Sequence, residues 1–124
     1  MSVANAINQH ETPIPVAAAD TASPAGNTAA VITYAAAGAG KYNCVGGIFW
    51  SYNATPTNGN LQIEDGSGNV IFSMDITAAG AGFIPFTPPK KGSANTALII
   101  TLAAGGSGVS GRVNATQWQE GAGP

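Results

Sequence analysis

From Thr28 to Trp118 the chain is interrupted so often by Gly, Asn and Pro that only short stretches remain between them, and these are rich in β-branched and aromatic residues. An amphipathic helix needs a 3.6-residue apolar period sustained over about 10 to 12 residues, whereas a strand needs only 4 to 8. The runs fall at 28–35, 42–52, 59–65, 69–76, 82–87, 95–103 and 108–118, with a further short strand from Thr12 to Val16. Short strands separated by turn residues define a sandwich or small barrel. A length of 124 residues gives room for one domain with a single core. The expectation is an all-β fold: one antiparallel β-sandwich, jelly-roll-like with an immunoglobulin-like arrangement as the alternative, carrying an extended N-terminal arm. The arm covers 1–27, the sandwich 28–119 and a C-terminal tail 120–124.

The strongest local signal is Leu61 to Glu64, then Asp65-Gly66-Ser67-Gly68-Asn69, then Val70 to Ile76. Turn residues able to adopt positive φ separate two alternating runs, which predicts a β-hairpin. Strict alternation puts Val70, Phe72, Met74 and Ile76 on one face. Ala103 to Gly108 predicts a second hairpin, joining the Leu98, Ile100, Leu102 face to the strand of Val109 and Val113. Pro85 has no N–H for a ladder, so its strand belongs at an edge. Gly46 and Gly47, inside an aromatic run, predict a bulge or a close backbone approach.

Residues 1–27 mix Ala, Asn and Thr with Pro13, Pro15 and Pro24 and show no period of 2 or 3.6, the pattern of an extended arm. Several strands are apolar on both faces: Ile71 opposes the Phe72 set, Phe49 and Val45 oppose Ile48 and Trp50, and Ile99 opposes Ile100. A two-layer domain has one interior, so the second face points to contact with other subunits. The candidate partner-binding residues are Val3, Ile7, Ile14 and Val16 in the arm, and Phe49, Ile71, Ile99 and Trp118 in the sandwich.

Only 8% of residues are charged and the net charge is -2. With Lys41, Lys90, Lys91 and Arg112 as the only lysines and arginines, there is no cationic footprint for nucleic acid. No apolar run reaches membrane-spanning length, which argues against a membrane partner. The start of the chain has neither a basic region nor an apolar stretch of the kind a secretory signal needs, so synthesis in a cytoplasm is expected.

Catalytic and ligand chemistry finds few supports. Ala35 to Lys41 (AAAGAGK) departs from a phosphate loop at its first position, where Ala35 replaces glycine, and again at Tyr42, where a hydroxyl ligand for magnesium belongs. The Asp65 to Asn69 turn offers oxygens, but Ile76 stands where an EF-hand needs its bidentate Glu. Zinc lacks ligands, because His10 and Cys44 are the sole residues of their types. His10, the one imidazole base, lies in the arm, far along the chain from Cys44, which reads as a buried small hydrophobe. Glu64, Asp65 and Asp75 do not form a paired-carboxylate arrangement. The expectation is therefore no enzyme, no metal, no cofactor and no small-molecule substrate. Trp50, Tyr52, Tyr42 and Trp118 leave open a sugar-stacking platform, with Trp50 better explained by the core.

The stretch from Tyr42 to Trp118, especially LQIEDGSGNVIFSMDITAAGAGFIPF followed by NTALIITLAAGGSGVSGRVNATQW, resembles the small β-sandwich decoration, or cement, proteins of tailed bacteriophages. The resemblance implies a homotrimer on the outside of a virion, bound to the major capsid protein and stabilising the shell, with its arm reaching across subunit boundaries. The alternatives are another phage virion subunit (tail, baseplate or head fibre) or a carbohydrate-binding β-sandwich module.

Overall fold

The computed structural model describes residues 20–121, and the strands among them are β1 (Thr21–Ala22), β2 (Ala30–Tyr34), β3 (Lys41–Tyr52), β4 (Gly59–Asp65), β5 (Val70–Ile76), β6 (Gly80–Lys91), β7 (Leu98–Leu102) and β8 (Gly111–Gly121). They form two four-stranded sheets, ordered β1-β8-β3-β6 and β2-β7-β4-β5. Every pairing is antiparallel. First pairs with last, second with seventh, third with sixth and fourth with fifth. The topology is that of a long hairpin turning at β4–β5 and rolled until β8 meets β3 and β7 meets β4. That winding is the jelly roll. In an immunoglobulin fold the first two strands share a sheet, but here every link except β4–β5 crosses from one sheet to the other.

Between the sheets lies one apolar core, in which Val45, Ile48, Tyr52 and Val113 of the first sheet meet Ile32, Tyr34, Leu61, Ile63, Leu98, Ile100 and Leu102 of the second. Full burial of each aliphatic side chain contributes roughly 1.5 to 3 kcal/mol. The two buried tyrosines keep their hydroxyls satisfied: Tyr34 donates to Asp20 Oδ1 at 2.7 Å and Tyr52 to the Ala103 carbonyl at 2.6 Å.

The β4–β5 hairpin forms as the turn chemistry predicts, with Gly66 and Gly68 at φ 81° and 87° and Asp65 N donating to Asn69 O at 2.8 Å. Pro85 lies in β6, an edge strand. The Gly46 bulge is present as well: the register of β3 shifts between Val45 and Gly47 against both β6 and β8.

The bulges correct the reading of faces from simple alternation. The extra residue at Gly46 resets the phase of β3, so Val45 joins Ile48 in the core instead of opposing it, while Phe49 points outward. A second shift, between Ile63 and Glu64 of β4, pairs Glu64 with Val70 but Ile63 with Phe72. One residue of β5 is thus unopposed, and Val70 turns out to solvent, 46% exposed, away from the Phe72, Met74 and Ile76 face. The Ala103 to Gly108 connection is not a hairpin: β7 and β8 belong to opposite sheets, and the loop carries the chain over the core edge. β6 also continues beyond residue 87. Its ladder with β3 breaks after Pro85 and resumes at Lys90, and the excursion between them sinks Phe86 into the core. There Phe86 meets Phe72 of the other sheet edge to face, centroids 5.0 Å apart. Two boundaries differ from those expected: β1 lies within the stretch read as arm, and β8 runs to Gly121, into the stretch read as tail. The strand expected at Thr12 to Val16 lies outside the described residues.

Candidate functional site

The outer face of the β1-β8-β3-β6 sheet carries an exposed aromatic ridge. Phe49 of β3 and Phe83 of β6 are direct cross-strand partners. Their rings stack with centroids 4.2 Å apart and planes 26° from parallel. Both remain half exposed, at 50% and 49%. The ridge is possible because Gly47 gives Phe83 room: a Cβ there would stand 2.9 Å from the Phe83 ring. Gly46 does the same for Trp118, whose indole would meet a Cβ at 2.8 Å. The bulge glycines therefore form a bare floor between two aromatic walls, Trp118 on the β8 side and the phenylalanine stack on the β6 side. Exposed Asn114 and Thr116 of β8 pair with Phe49 and Gly47 and complete an uncharged rim.

A compact polar group closes one end of this face. Glu120 accepts a hydrogen bond from Trp118 Nε1 at 3.0 Å and lies 3.4 Å from Lys91 Nζ. Lys91 Nζ also sits 4.4 Å from the centroid of the Tyr42 ring. The indole bond first, and Lys91 second, hold the Glu120 carboxyl below its ordinary value. Beneath them Cys44 is fully buried; burial, then the nearby Glu120 charge, pushes its thiol up. A raised thiol is a poor nucleophile. Each charge in the group is answered by another member.

Of the residues expected to bind a partner, the structure brings Phe49 and Trp118 onto this single face. Ile71 packs half-buried against the core and Ile99 sits half-buried in β7 of the opposite sheet. Val3, Ile7, Ile14, Val16 and also His10 lie outside the described residues. Tyr52 cannot belong to a sugar platform, because it is 1% exposed and its hydroxyl is bonded inside the protein. Phe83 escaped sequence reasoning; its signal was the alternation Phe83, Pro85 on an edge strand whose partner, Phe49, was already marked as outward.

The acids have structural partners. Asp65 accepts from Ser93 N at 2.9 Å and Ser93 Oγ at 2.6 Å, tying the β4–β5 turn to the loop after β6. Glu64 accepts from Gly68 N, and Asp75 from Asn60 Nδ2. No cluster of three His, Cys, Asp or Glu side chains able to hold a metal occurs among the described residues. A hollow of about 330 Å³ is lined by Pro56, Asn58, Gly59, Asp75, Ile76 and Thr77, and Asp75 is its only ionisable group. No described helix is long and apolar enough to cross a membrane.

Fold and face together define a jelly-roll β-sandwich with an aromatic outer sheet. No protein family and no curated protein matches the chain. Among solved structures it is similar to a family 16 carbohydrate-binding module (TM-score 0.48, 12% identity, 77% of this chain and 74% of that one). It is also similar to the carbohydrate-binding module CBM36 in complex with calcium and xylotriose (TM-score 0.40, 12% identity, 77% and 76%). A third likeness is to a virus-like particle of the extra small virus of the prawn Macrobrachium rosenbergii (TM-score 0.31, 15% identity, 87% and 84%).

Proposed function

We propose that this chain is a non-enzymatic structural subunit that docks onto another protein through the outer face of the β1-β8-β3-β6 sheet, as a capsid decoration protein bound to the major capsid protein of a phage shell. The observation that carries the docking reading is the Phe49–Phe83 stack, two half-exposed rings on an otherwise uncharged floor. Such a patch fits the dehydrated centre of a protein interface, where aromatic residues are enriched and charge is depleted. Burying the exposed half of each ring contributes about 1 to 1.5 kcal/mol per ring. A modest contact of this kind becomes strong when many subunits cover one particle. The assignment to a virion draws on the sequence resemblance.

Sugar stacking is the second reading, favoured by Trp118 lying over bare glycine backbone. The ring faces argue for protein. Phe49 and Phe83 spend a face on each other, and Lys91 sits over Tyr42.

The test is co-sedimentation of the chain with expanded shells of the major capsid protein. Phe49→Ala with Phe83→Ala, introduced together, is expected to lower bound protein at least tenfold with circular dichroism unchanged. Undiminished decoration by the folded double variant rejects the ridge as docking face. Glycan binding lost in Trp118→Ala supports the second reading.

A further inference from the structure

The loop between β3 and β4 closes over the end of the β4–β5 ladder, where Gly59 pairs with Ile76 and Asn60 with Asp75. Glycine at 59 is what permits this closure: a Cβ there would collide with the Ile76 carbonyl oxygen and stand 2.9 Å from Pro56 Cγ. Thr57 N donates to the Gly105 carbonyl at 2.7 Å and Ala103 N to the Asn60 carbonyl at 2.8 Å, so the loop and the start of β4 are both anchored. Between them lies the hollow of about 330 Å³ walled by Pro56, Gly59 and Ile76, with Asn58, Asp75 and Thr77 as its polar groups. That volume is at the lower end of small-molecule sites, which begin at about 300 Å³. We propose that the hollow binds a small organic cation, an alkylguanidinium or alkylammonium, with its head on Asp75 and its stem against Pro56 and Ile76.

The charge of the hollow selects this class. Asp75 is its only ionisable group. Asn60 Nδ2 donates to Asp75 Oδ1 at 3.2 Å and also lies 3.1 Å from Ser73 Oγ, which fixes the direction of the carboxylate. A carboxylate has about four lone-pair sites, and Asn60 takes one of them. All four lysines and arginines of the chain are described, and none pairs with Asp75: Lys91 pairs with Glu120, and Lys90 lies near the Phe72 and Phe86 rings. The carboxylate therefore faces the hollow without a lysine or arginine to answer it. An anion would be repelled there. A divalent metal ion needs several hard oxygen ligands, and no cluster of three acidic, His or Cys side chains occurs among the described residues. A sugar ring gains most from an aromatic face, and none lines this hollow.

The uncharged walls suit the rest of such a ligand. Lysine and arginine stems lie along apolar surface while their heads stay in polar surroundings, and Pro56 and Ile76 offer a short stem the same cover. The Asn58 amide oxygen and the Thr77 hydroxyl are acceptors for the N–H groups that Asp75 leaves over. Charge-assisted hydrogen bonds of this kind are about twice as strong as neutral ones. The hollow belongs to β4 and β5, in the sheet opposite the aromatic face, so this inference stands independently of the docking reading.

Titration of the full chain with n-butylguanidinium chloride, followed by amide NMR, tests the assignment. Saturable shifts are expected at Asn58, Gly59, Asp75, Ile76 and Thr77, with an apparent Kd of about 1 to 10 mM, the range open to a ligand of this size. Asp75→Asn keeps the shape of the side chain and an oxygen for Asn60, and should weaken binding at least fivefold while amides away from the hollow keep their positions. Glu64→Gln, at an exposed acid elsewhere on the same sheet, should leave the Kd within about twofold. Absence of saturable shifts up to about 50 mM, or equal binding by the Asp75→Asn variant, overturns the proposal. Shifts spread equally over Glu64, Asp65 and Glu120 overturn it as well, by showing general attraction to acids. Equal binding of 1-pentanol would show that apolar contact alone suffices, and tighter saturable binding of calcium chloride at the same amides would assign the hollow to a metal; either result rejects an organic cation.

Discussion

Asn43 is fully buried in β3, and its side chain joins three segments: Nδ2 donates to the Ala35 carbonyl at 2.9 Å and the Thr96 carbonyl at 3.4 Å, while Oδ1 accepts from Gln117 Nε2 at 2.8 Å. A single amide thus ties the loop after β2 and the loop before β7 to β8. Leucine of similar size at this position leaves those groups without partners, at a cost of roughly 1 to 3 kcal/mol per buried group. Asn43→Leu is expected to lower unfolding free energy by about 2 to 4 kcal/mol in urea titration; a loss below about 0.5 kcal/mol would show that the network is replaced by water. The tyrosines give a pH dependence. Burial first, then the Asp20 bond and charge, raise the Tyr34 hydroxyl far above its ordinary 10.0, and burial also raises Tyr52. A raised folded-state value favours the protonated form, so this stability is complete below about pH 10 and is lost as pH climbs above it. Each tyrosine can contribute a slope of up to about 1.4 kcal/mol per pH unit there. Tyr34→Phe should flatten the fall in denaturant midpoint between pH 10 and 11.5, and an unchanged slope would show that Tyr34 ionises freely in the folded chain.

Strands and the β4–β5 hairpin were legible in the sequence because alternation and turn chemistry act over a few residues, and the same is true of Pro85 at an edge and Gly46 at a bulge. What a bulge does to the residues beyond it was not legible, since the phase on each side depends on which partner residue is skipped. Val45 and Val70 were both assigned to the wrong face for this reason. Long-range pairing failed similarly: a glycine-rich link between two apolar runs looks like a hairpin whether the next strand pairs beside its predecessor or crosses the core, as β8 does. Half of the candidate site was visible in Phe49 and Trp118. Phe83 was not, because its exposure depends on the β3–β6 register. The bulge is itself testable. Deleting Gly46 joins Val45 directly to Gly47, whose partners Gln117 and Thr116 are already consecutive on β8, so the ladder becomes regular and Val45 stays inward. That deletion should keep cooperative unfolding with a loss below about 2 kcal/mol in urea titration, whereas Gly46→Ala keeps the bulge but asks the Trp118 ring to move, and should shift Trp118 fluorescence with a loss of about 1 kcal/mol. Loss of cooperative unfolding on deletion would refute the reading of Gly46 as the extra residue.

At the scale of the whole molecule, the jelly roll leaves the two sheets with different outer faces. Ser73, Gln62, Thr101 and Thr33 intersperse polar groups with the separate exposed valines Val31 and Val70 over the β2-β7-β4-β5 sheet, while the other sheet shows the contiguous phenylalanine stack. Charge is scarce everywhere, with four lysines and arginines and six acidic residues in 124; on the aromatic face Lys91 is paired with Glu120, and exposed Arg112 stands two positions from Asn114 along β8. Docking through this face would therefore gain little from long-range attraction, and its strength would come from removing ring surface from water. Salt screens exposed charges over about 8 to 10 Å at physiological strength and shortens that range further as it rises, but it leaves apolar burial intact. Binding to expanded shells is accordingly expected to change by less than about threefold in apparent Kd between 50 and 500 mM sodium chloride, as measured by co-sedimentation. A steep loss would mean that Arg112, Lys41 or the acidic residues carry the contact, and that the phenylalanine ridge is only a neighbour of the true interface.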